Sequence, residues 1–255
     1  MQGAVRVTVA EGVAELVFDR AAKHNAMTPE MARELAGHVR ALEENDAVRA
    51  VLLRGEGERA FCSGSDLNAL AGYPTAWHFR NRLEYATVVR DIRKPVVAAL
   101  QGWTLGGGAE MALGADIRIA AETTRIGFPE VQRGWVGGGG ASQLLPRLIG
   151  HAAATRLLIL AEQVDAAEAL RLGMVHEVVP PADLLPRARA VALRLAGFSP
   201  VAVQSVKAAL RAAMEAPLSA GLRYENEMNV LCFSAGDHLE GIRAFNEKRE
   251  ASFAR

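Results

Sequence analysis

Cysteine is nearly absent from this chain of 255 residues: Cys62 and Cys232 are the only two. So few thiols exclude a disulfide framework and a zinc cluster, and make a reduced, cytoplasmic setting the expectation. Neither sign of charge prevails, because lysine plus arginine and aspartate plus glutamate number 29 each. Without a net field, nucleic acid and anionic membranes are not expected partners. No uninterrupted apolar run approaches the roughly 20 residues of a membrane-spanning helix. The first residues, Met1 to Val7, lack the basic start and apolar core of a signal peptide, so none is expected. Neither the G-x-G-x-x-G fingerprint nor a G-K-[ST] signature occurs, which disfavours nicotinamide and nucleoside triphosphate chemistry. Tight repeats and low-complexity tracts are also missing.

What is present is a core. Half the residues are hydrophobic, enough for one large domain or a domain with a smaller appendage. Val5 to Val9 and Val13 to Phe18 read as strands joined at Glu11-Gly12. Thr28-Pro29 starts a helix, with a hydroxyl at the N-cap and proline at the first helical position. Met31, Leu35, Val39 and Leu42 give that helix one apolar stripe. Strands are expected at Ala50 to Arg54, Val96 to Leu100, Asp116 to Ala121 and Met174 to Val179. The segment from Leu67 to Trp77 reads as irregular, followed by a single helix from about Trp77 to Ile92. A helix opening at Gly137 to Gly140 should face Leu144, Leu145 and Leu148 inward and stop at Gly150, with two more helices near 152–161 and 166–172. After Pro180-Pro181 the chain reads as helix, with breaks near Ser199-Pro200, Ala216-Pro217 and Ala235-Gly236. The composition therefore divides the chain into a mixed strand-and-helix region, 1–195, and a helical region, 196–255.

Chemistry concentrates in three segments. Phe61-Cys62-Ser63-Gly64-Ser65-Asp66 and Gly106-Gly107-Gly108-Ala109-Glu110 are glycine-bearing turns, expected after the strands around Val51-Leu53 and Val96-Leu100. Gly127-Phe128-Pro129-Glu130 adds a second carboxylate. Glycine admits a ligand close to backbone N–H groups, and two such groups aimed at one point stabilise a developing oxyanion. Carboxylates nearby can move protons. Together these parts suggest an enzyme that makes and quenches an enolate. Taken singly, each has a plainer explanation. A triple glycine is often just a strand-to-helix turn, Glu110 suits a helix first turn, and Ser65-Asp66 resembles an N-cap pair. Cys62 reads as a small buried thiol rather than a nucleophile, and His24, His78 and His176 lack metal-ligand spacing.

In combination the chain resembles the crotonase, or enoyl-CoA hydratase/isomerase, superfamily along essentially its whole length. The resemblance rests on His24 to Thr28, Phe61 to Leu67, Gly102 to Glu110, Ala115 to Ile119, Gly127 to Glu130, Ala169 to Val179 and Gly241 to Arg249. It implies an α/β fold: a crotonase-like spiral of β-β-α repeats followed by a helical C-terminal trimerisation region, assembled as a homotrimer or a dimer of trimers. The implied ligand is an acyl-CoA thioester, with coenzyme A belonging to the substrate and no separate cofactor or metal. By matching position, the N–H groups of Ser65 and Gly107 would hold the thioester oxygen. Glu110 would chiefly activate water, Glu130 would chiefly protonate carbon, and Gly138 would help hold the water. Lys23, Ser63, Asp66, Leu67, Phe245 and Lys248 match positions near coenzyme A, the last two from a neighbouring subunit. The implied activity is an enoyl-CoA hydratase. Its alternatives are a double-bond isomerase, another crotonase-type reaction, or a non-catalytic RNA-binding or scaffold paralogue. The chain departs from the family pattern in three places. Ala21 follows Arg20 where proline is frequent, Gly137 stands where many hydratases have proline, and Trp103 and Trp135 are expected to reshape the acyl pocket.

Overall fold

The computed structural model describes residues 3–253. A hairpin opens the chain: β1 (Ala4–Ala10) and β2 (Val13–Asp19) pair antiparallel through a turn in which Glu11 and Gly12 both take positive φ. Helix α1 (Pro29–Glu43) starts at Thr28, whose hydroxyl accepts the Met31 N–H at 3.2 Å, and buries Met31, Leu35 and Leu42. The next elements are β3 (Ala50–Gly55), β4 (Ala60–Cys62), α2 (Leu67–Ala71), α3 (Ala76–Arg80) and α4 (Tyr85–Asp91). Then come β5 (Val96–Leu100), β6 (Trp103–Leu105), α5 (Gly107–Gly114), β7 (Ile117–Ala121) and β8 (Arg125–Gly127). The second half contains α6 (Ala141–Ile149), α7 (His151–Ile159), β9 (Gln163–Asp165), α8 (Ala166–Arg171), β10 (Glu177–Val179) and α9 (Leu184–Ala196). Helices α10 (Pro200–Ala213), α11 (Leu218–Ala235) and α12 (Asp237–Glu247) complete it.

The strands form two sheets, a six-stranded one in the order β1-β2-β3-β5-β7-β10 and a four-stranded one in the order β4-β6-β8-β9. Each coil of the spiral places one strand in the large sheet and the next in the small sheet, then adds helix: β3 then β4, β5 then β6, β7 then β8. Strands β3, β5, β7 and β10 run parallel in the large sheet, and β4, β6 and β8 run parallel in the small one. Apolar matter covers both faces of the large sheet, which explains the continuous hydrophobic runs of β3 and β5. On one face, Leu184, Ala188, Ala192 and Ala196 of α9 pack against Leu52, Val97, Ala99 and Ile119. The main core, with Leu16, Phe18, Leu53, Phe61, Leu100 and Met111, fills the other side.

The small sheet corrects the sequence reading. The two glycine turns do not follow Val51-Leu53 and Val96-Leu100 directly; they follow β4 and β6, three residues each. Strands so short carry no readable alternation, and pairing alone reveals them. The single helix expected from Trp77 to Ile92 is interrupted between α3 and α4. The Asn81 side chain donates to the Trp77 carbonyl, and Glu84 caps a fresh helix through the Ala86 N–H. Helix α6 begins at Ala141 rather than within the glycine run and turns Ala141 and Leu145 inward, leaving Leu148 exposed. The expected strand from Met174 shortens to β10, because the Met174 and Val175 N–H groups turn back to the Ala169 carbonyl after Gly173 at φ +79°.

Helices α10 and α12 bury few residues, and α11 buries none. Leu218, Leu222, Val230, Leu231 and Phe233 of α11 are exposed, as are Leu239, Ile242 and Phe245 of α12. Among the described residues no helix is long and apolar enough to cross a membrane.

Candidate active site

Strands β4, β6 and β8 are parallel neighbours, so the turns leaving their C-terminal ends lie side by side. These turns are the three chemistry-bearing segments of the sequence. The first is laid along residues 24–27. The Ser63 N–H donates to the His24 carbonyl (3.0 Å), the Met27 N–H to the Gly64 carbonyl (2.8 Å), and the Asp66 N–H to the Met27 carbonyl (2.8 Å). The Ser65 N–H is passed over. Asn25 fixes this track from below, fully buried at φ +55°. Its side chain donates to the Ala60 and Glu56 carbonyls and accepts the Arg20 N–H.

In the second turn the Gly106 N–H donates to the Gly127 carbonyl at 2.9 Å, and α5 starts at Gly107 with its first N–H groups unpaired by the helix. The two turns touch. Gly64 has φ +92°, and a methyl group there would lie 3.1 Å from the Leu105 carbonyl and 3.2 Å from the Gly107 nitrogen. Only glycine fits that approach. Among the described residues, neither the Ser65 N–H nor the Gly107 N–H has a hydrogen-bond partner.

Glu110, in the first turn of α5, is 3% exposed. Its Oε1 accepts the Ala141 N–H at 3.0 Å, and the Gly139 N–H also donates to the carboxylate. Burial pushes this carboxyl above its ordinary range, helped by the charges of Glu84 and Glu130 and opposed by those two N–H groups. Glu130 sits in the 3-10 turn Pro129–Arg133 that follows β8. Burial raises its carboxyl too, with its own backbone N–H and the Arg133 charge pulling the other way. A methyl group on Gly106 would come within 2.7 Å of Glu130 Oε1, which ties the second turn to the third. Two carboxyls lifted in this way are suited to taking and returning protons.

One cavity of about 420 Å³ collects the parts. Lys23, Ser63, Ser65, Asp66, Leu67, Gly107, Glu110, Glu130 and Gly138 all line it. Phe245 and Lys248 do not. They lie at the end of α12, Phe245 being 83% exposed, and no atom of the same chain brings them to this cavity. The Asp66 carboxylate is committed to the protein: it caps α2 through the Asn68 and Ala69 N–H groups and pairs with Arg20 at 2.7 Å. Trp135 lines the cavity and lies against Phe79, ring centres 5.5 Å apart, whereas Trp103 does not line it. Cys62 is a buried thiol pushed up to about 12 by desolvation, in keeping with a packing role.

Sequence reasoning missed Arg82, Glu84 and Tyr85, which also line the cavity. Arg82 pairs with Glu84 at 2.8 Å and lies 4.1 Å over the Phe79 ring. Tyr85, 6% exposed, hydrogen-bonds Ser65 Oγ at 2.9 Å through its own hydroxyl. The interruption between α3 and α4 points them inward, and a stretch read as one helix gave no signal of it.

The architecture is that of a crotonase-type α/β enzyme fold. A crystal structure of an enoyl-CoA hydratase from Bacillus anthracis superposes with a TM-score of 0.93 at 33% identity, covering 98% of each chain. The crotonyl-CoA hydratase of Syntrophomonas wolfei is 35% identical, covering 95% of each chain. The short-chain-enoyl-CoA hydratase of Clostridium acetobutylicum is also 35% identical, over 93% of this chain and 92% of its own. Residues 8–255 match the enoyl-CoA hydratase/isomerase family model, and the chain belongs to that family.

Proposed function

We propose that this protein adds water reversibly across the 2,3-double bond of a 2-enoyl-CoA thioester. The observation that carries the reading is the pairing of two upward-shifted carboxyls, the buried Glu110 and the half-buried Glu130, with two unengaged N–H groups, on one cavity. Addition of water places negative charge on the thioester oxygen. The Ser65 and Gly107 N–H groups receive that oxygen, each such donor being worth about 3–4 kcal/mol of barrier. Glu110, already holding the Gly139 and Ala141 amides, takes a proton from water presented beside the Gly137–Gly139 loop, with the Gly138 N–H helping to hold it. Glu130 returns a proton to the α-carbon. Coenzyme A enters as part of the substrate, past Lys23 and the Ser63–Leu67 turn. The unburied apolar length of α11 and α12 supports assembly as a homotrimer or a pair of trimers, which would let Phe245 and Lys248 of one subunit serve its neighbour.

Glu110→Gln and Glu130→Gln keep the shape of each side chain and remove its charge. Both variants are expected to lower kcat for crotonyl-CoA hydration by about 10²–10⁴-fold. Near wild-type rates in both would end the two-carboxylate mechanism. A silent Glu130→Gln beside a dead Glu110→Gln would favour double-bond isomerisation by one carboxylate.

A further inference from the structure

The Ser65 and Tyr85 hydroxyls have no role in the chemistry above, yet they occupy its centre. Ser65 carries one of the two oxyanion amides, and its Oγ lies 2.9 Å from Tyr85 Oη. The Tyr85 ring in turn abuts the α-carbon of Gly107, bearer of the other amide, where a side chain would collide with it. The hydroxyl pair therefore touches both residues that carry the amides. Both residues line the cavity.

Two hydroxyls sharing one hydrogen bond hold two protons and use one. No other partner of either oxygen is present among the described residues. The buried phenol is the better donor of the two, and burial keeps it protonated by raising it well above its ordinary value. With Tyr85 as the donor to Ser65, the Ser65 proton is left to face the cavity from the more exposed residue. A serine hydroxyl stands beside its own amide, so an oxygen held by the Ser65 N–H is within that proton's reach.

We propose that the hydroxyl of Ser65, oriented by Tyr85, is a third donor to the thioester oxygen beside the Ser65 and Gly107 amides. Ser65 Oγ is then catalytic through its side chain as well as its backbone, and Tyr85 is a positioning residue. The inference deepens the enolate reading given above and rests on it, but not on hydration being the net reaction.

Acetoacetyl-CoA tests it without turnover. This β-keto thioester forms an enolate with the same negative oxygen, and the enolate is followed by its near-ultraviolet absorption. Wild-type protein is expected to raise the bound enolate fraction. Ser65→Ala, which keeps the amide, is expected to lower the enolate-to-keto ratio about 10-fold or more at little changed affinity. Tyr85→Phe should give a smaller loss, and the double variant should match Ser65→Ala, because Tyr85 acts only through Ser65. A wild-type ratio in Ser65→Ala, or a Tyr85→Phe loss that adds in full to it, overturns the proposal. If Ser65→Ala does not bind, Tyr85→Phe decides alone: a lowered ratio at unchanged affinity supports the role, and an unchanged ratio removes it. Wild-type protein that ionises acetoacetyl-CoA but hydrates no enoyl-CoA would remove the hydratase reading and leave this one standing.

Discussion

Glu110 Oε1 accepts the backbone N–H of Ala141 at 3.0 Å, so a carboxylate from one helix sits at the N-terminus of another. The positive end of α6 and the Gly139 N–H favour its ionised form, while burial among Glu84 and Glu130 disfavours it. Burial prevails, and the carboxyl is held above its usual range. The catalytic group and the fold of the glycine loop are therefore one arrangement.

Gly137 exposes that arrangement to a small change. A methyl group there would come within 2.5 Å of Glu110 Oε1 and otherwise meet only ordinary contacts, the next protein residue being Ala141 Cβ at 3.6 Å. Gly137→Ala should displace the carboxylate, lowering kcat by about 10²-fold while costing about 1–3 kcal/mol of stability. Steady-state kinetics with crotonyl-CoA and urea melts measure both.

The raised carboxyls also set a pH dependence. A base must be ionised to work, so activity should fall as pH drops through values above the ordinary carboxylate range, and Glu110→Gln should abolish that limb of the profile.

For stability the sign is opposite to that of an ion-paired acid. The folded state binds the Glu130 proton more tightly than the unfolded chain does, so stability declines as pH rises through the interval between the two values. Glu130→Gln should raise Tm at neutral pH by roughly 2–4 °C, the scale of about 1 kcal/mol in a chain of this size. The gain should vanish below the ordinary carboxylate value. Calorimetry at several pH values checks it.

Asn25 holds the first turn and is fully buried. Asn25→Ala leaves the Ala60 and Glu56 carbonyls and the Arg20 N–H without their partner, and imposes a left-handed φ on a residue that resists it. A loss of about 3 kcal/mol or more is expected by chemical denaturation, with activity lost in proportion as the Ser65 amide moves.

Lys207 joins the C-terminal helices to the sheet. Only 6% exposed, it donates from α10 to the Lys94 carbonyl and pairs with Asp116 at 2.5 Å, while the same Asp116 oxygen accepts the Val96 N–H. Lys207→Met should destabilise by about 3 kcal/mol, because Asp116 keeps its charge and loses its partner. Hydrogen exchange should show α10 opening ahead of β5.

Much of this was legible in residues alone. Thr28-Pro29 announced α1, the apolar run Val96 to Leu100 announced β5, and the glycine turns with Glu110 and Glu130 announced the site. Strands β4, β6, β8 and β9 were not legible, because three residues show no period, and their pairing partners lie on other coils of the spiral. The α3–α4 interruption was missed for a related reason. Helical spacing runs through Asn81 to Glu84 unbroken, and only the Asn81 side chain on the Trp77 carbonyl and the Glu84 cap at Ala86 interrupt it.

The sequence by itself determined which groups are available: two glycine turns, two carboxylates, buried runs for the strands and a helical end. Tertiary structure alone decided that the turns stand together, since that follows from β4, β6 and β8 being parallel neighbours. It also decided that Glu110 is buried against a helix terminus and that Tyr85 reaches Ser65. Local chain chemistry fixes what a residue can donate or accept. Which atoms meet depends on pairing between distant segments, and that is settled only when the sheets close over the core.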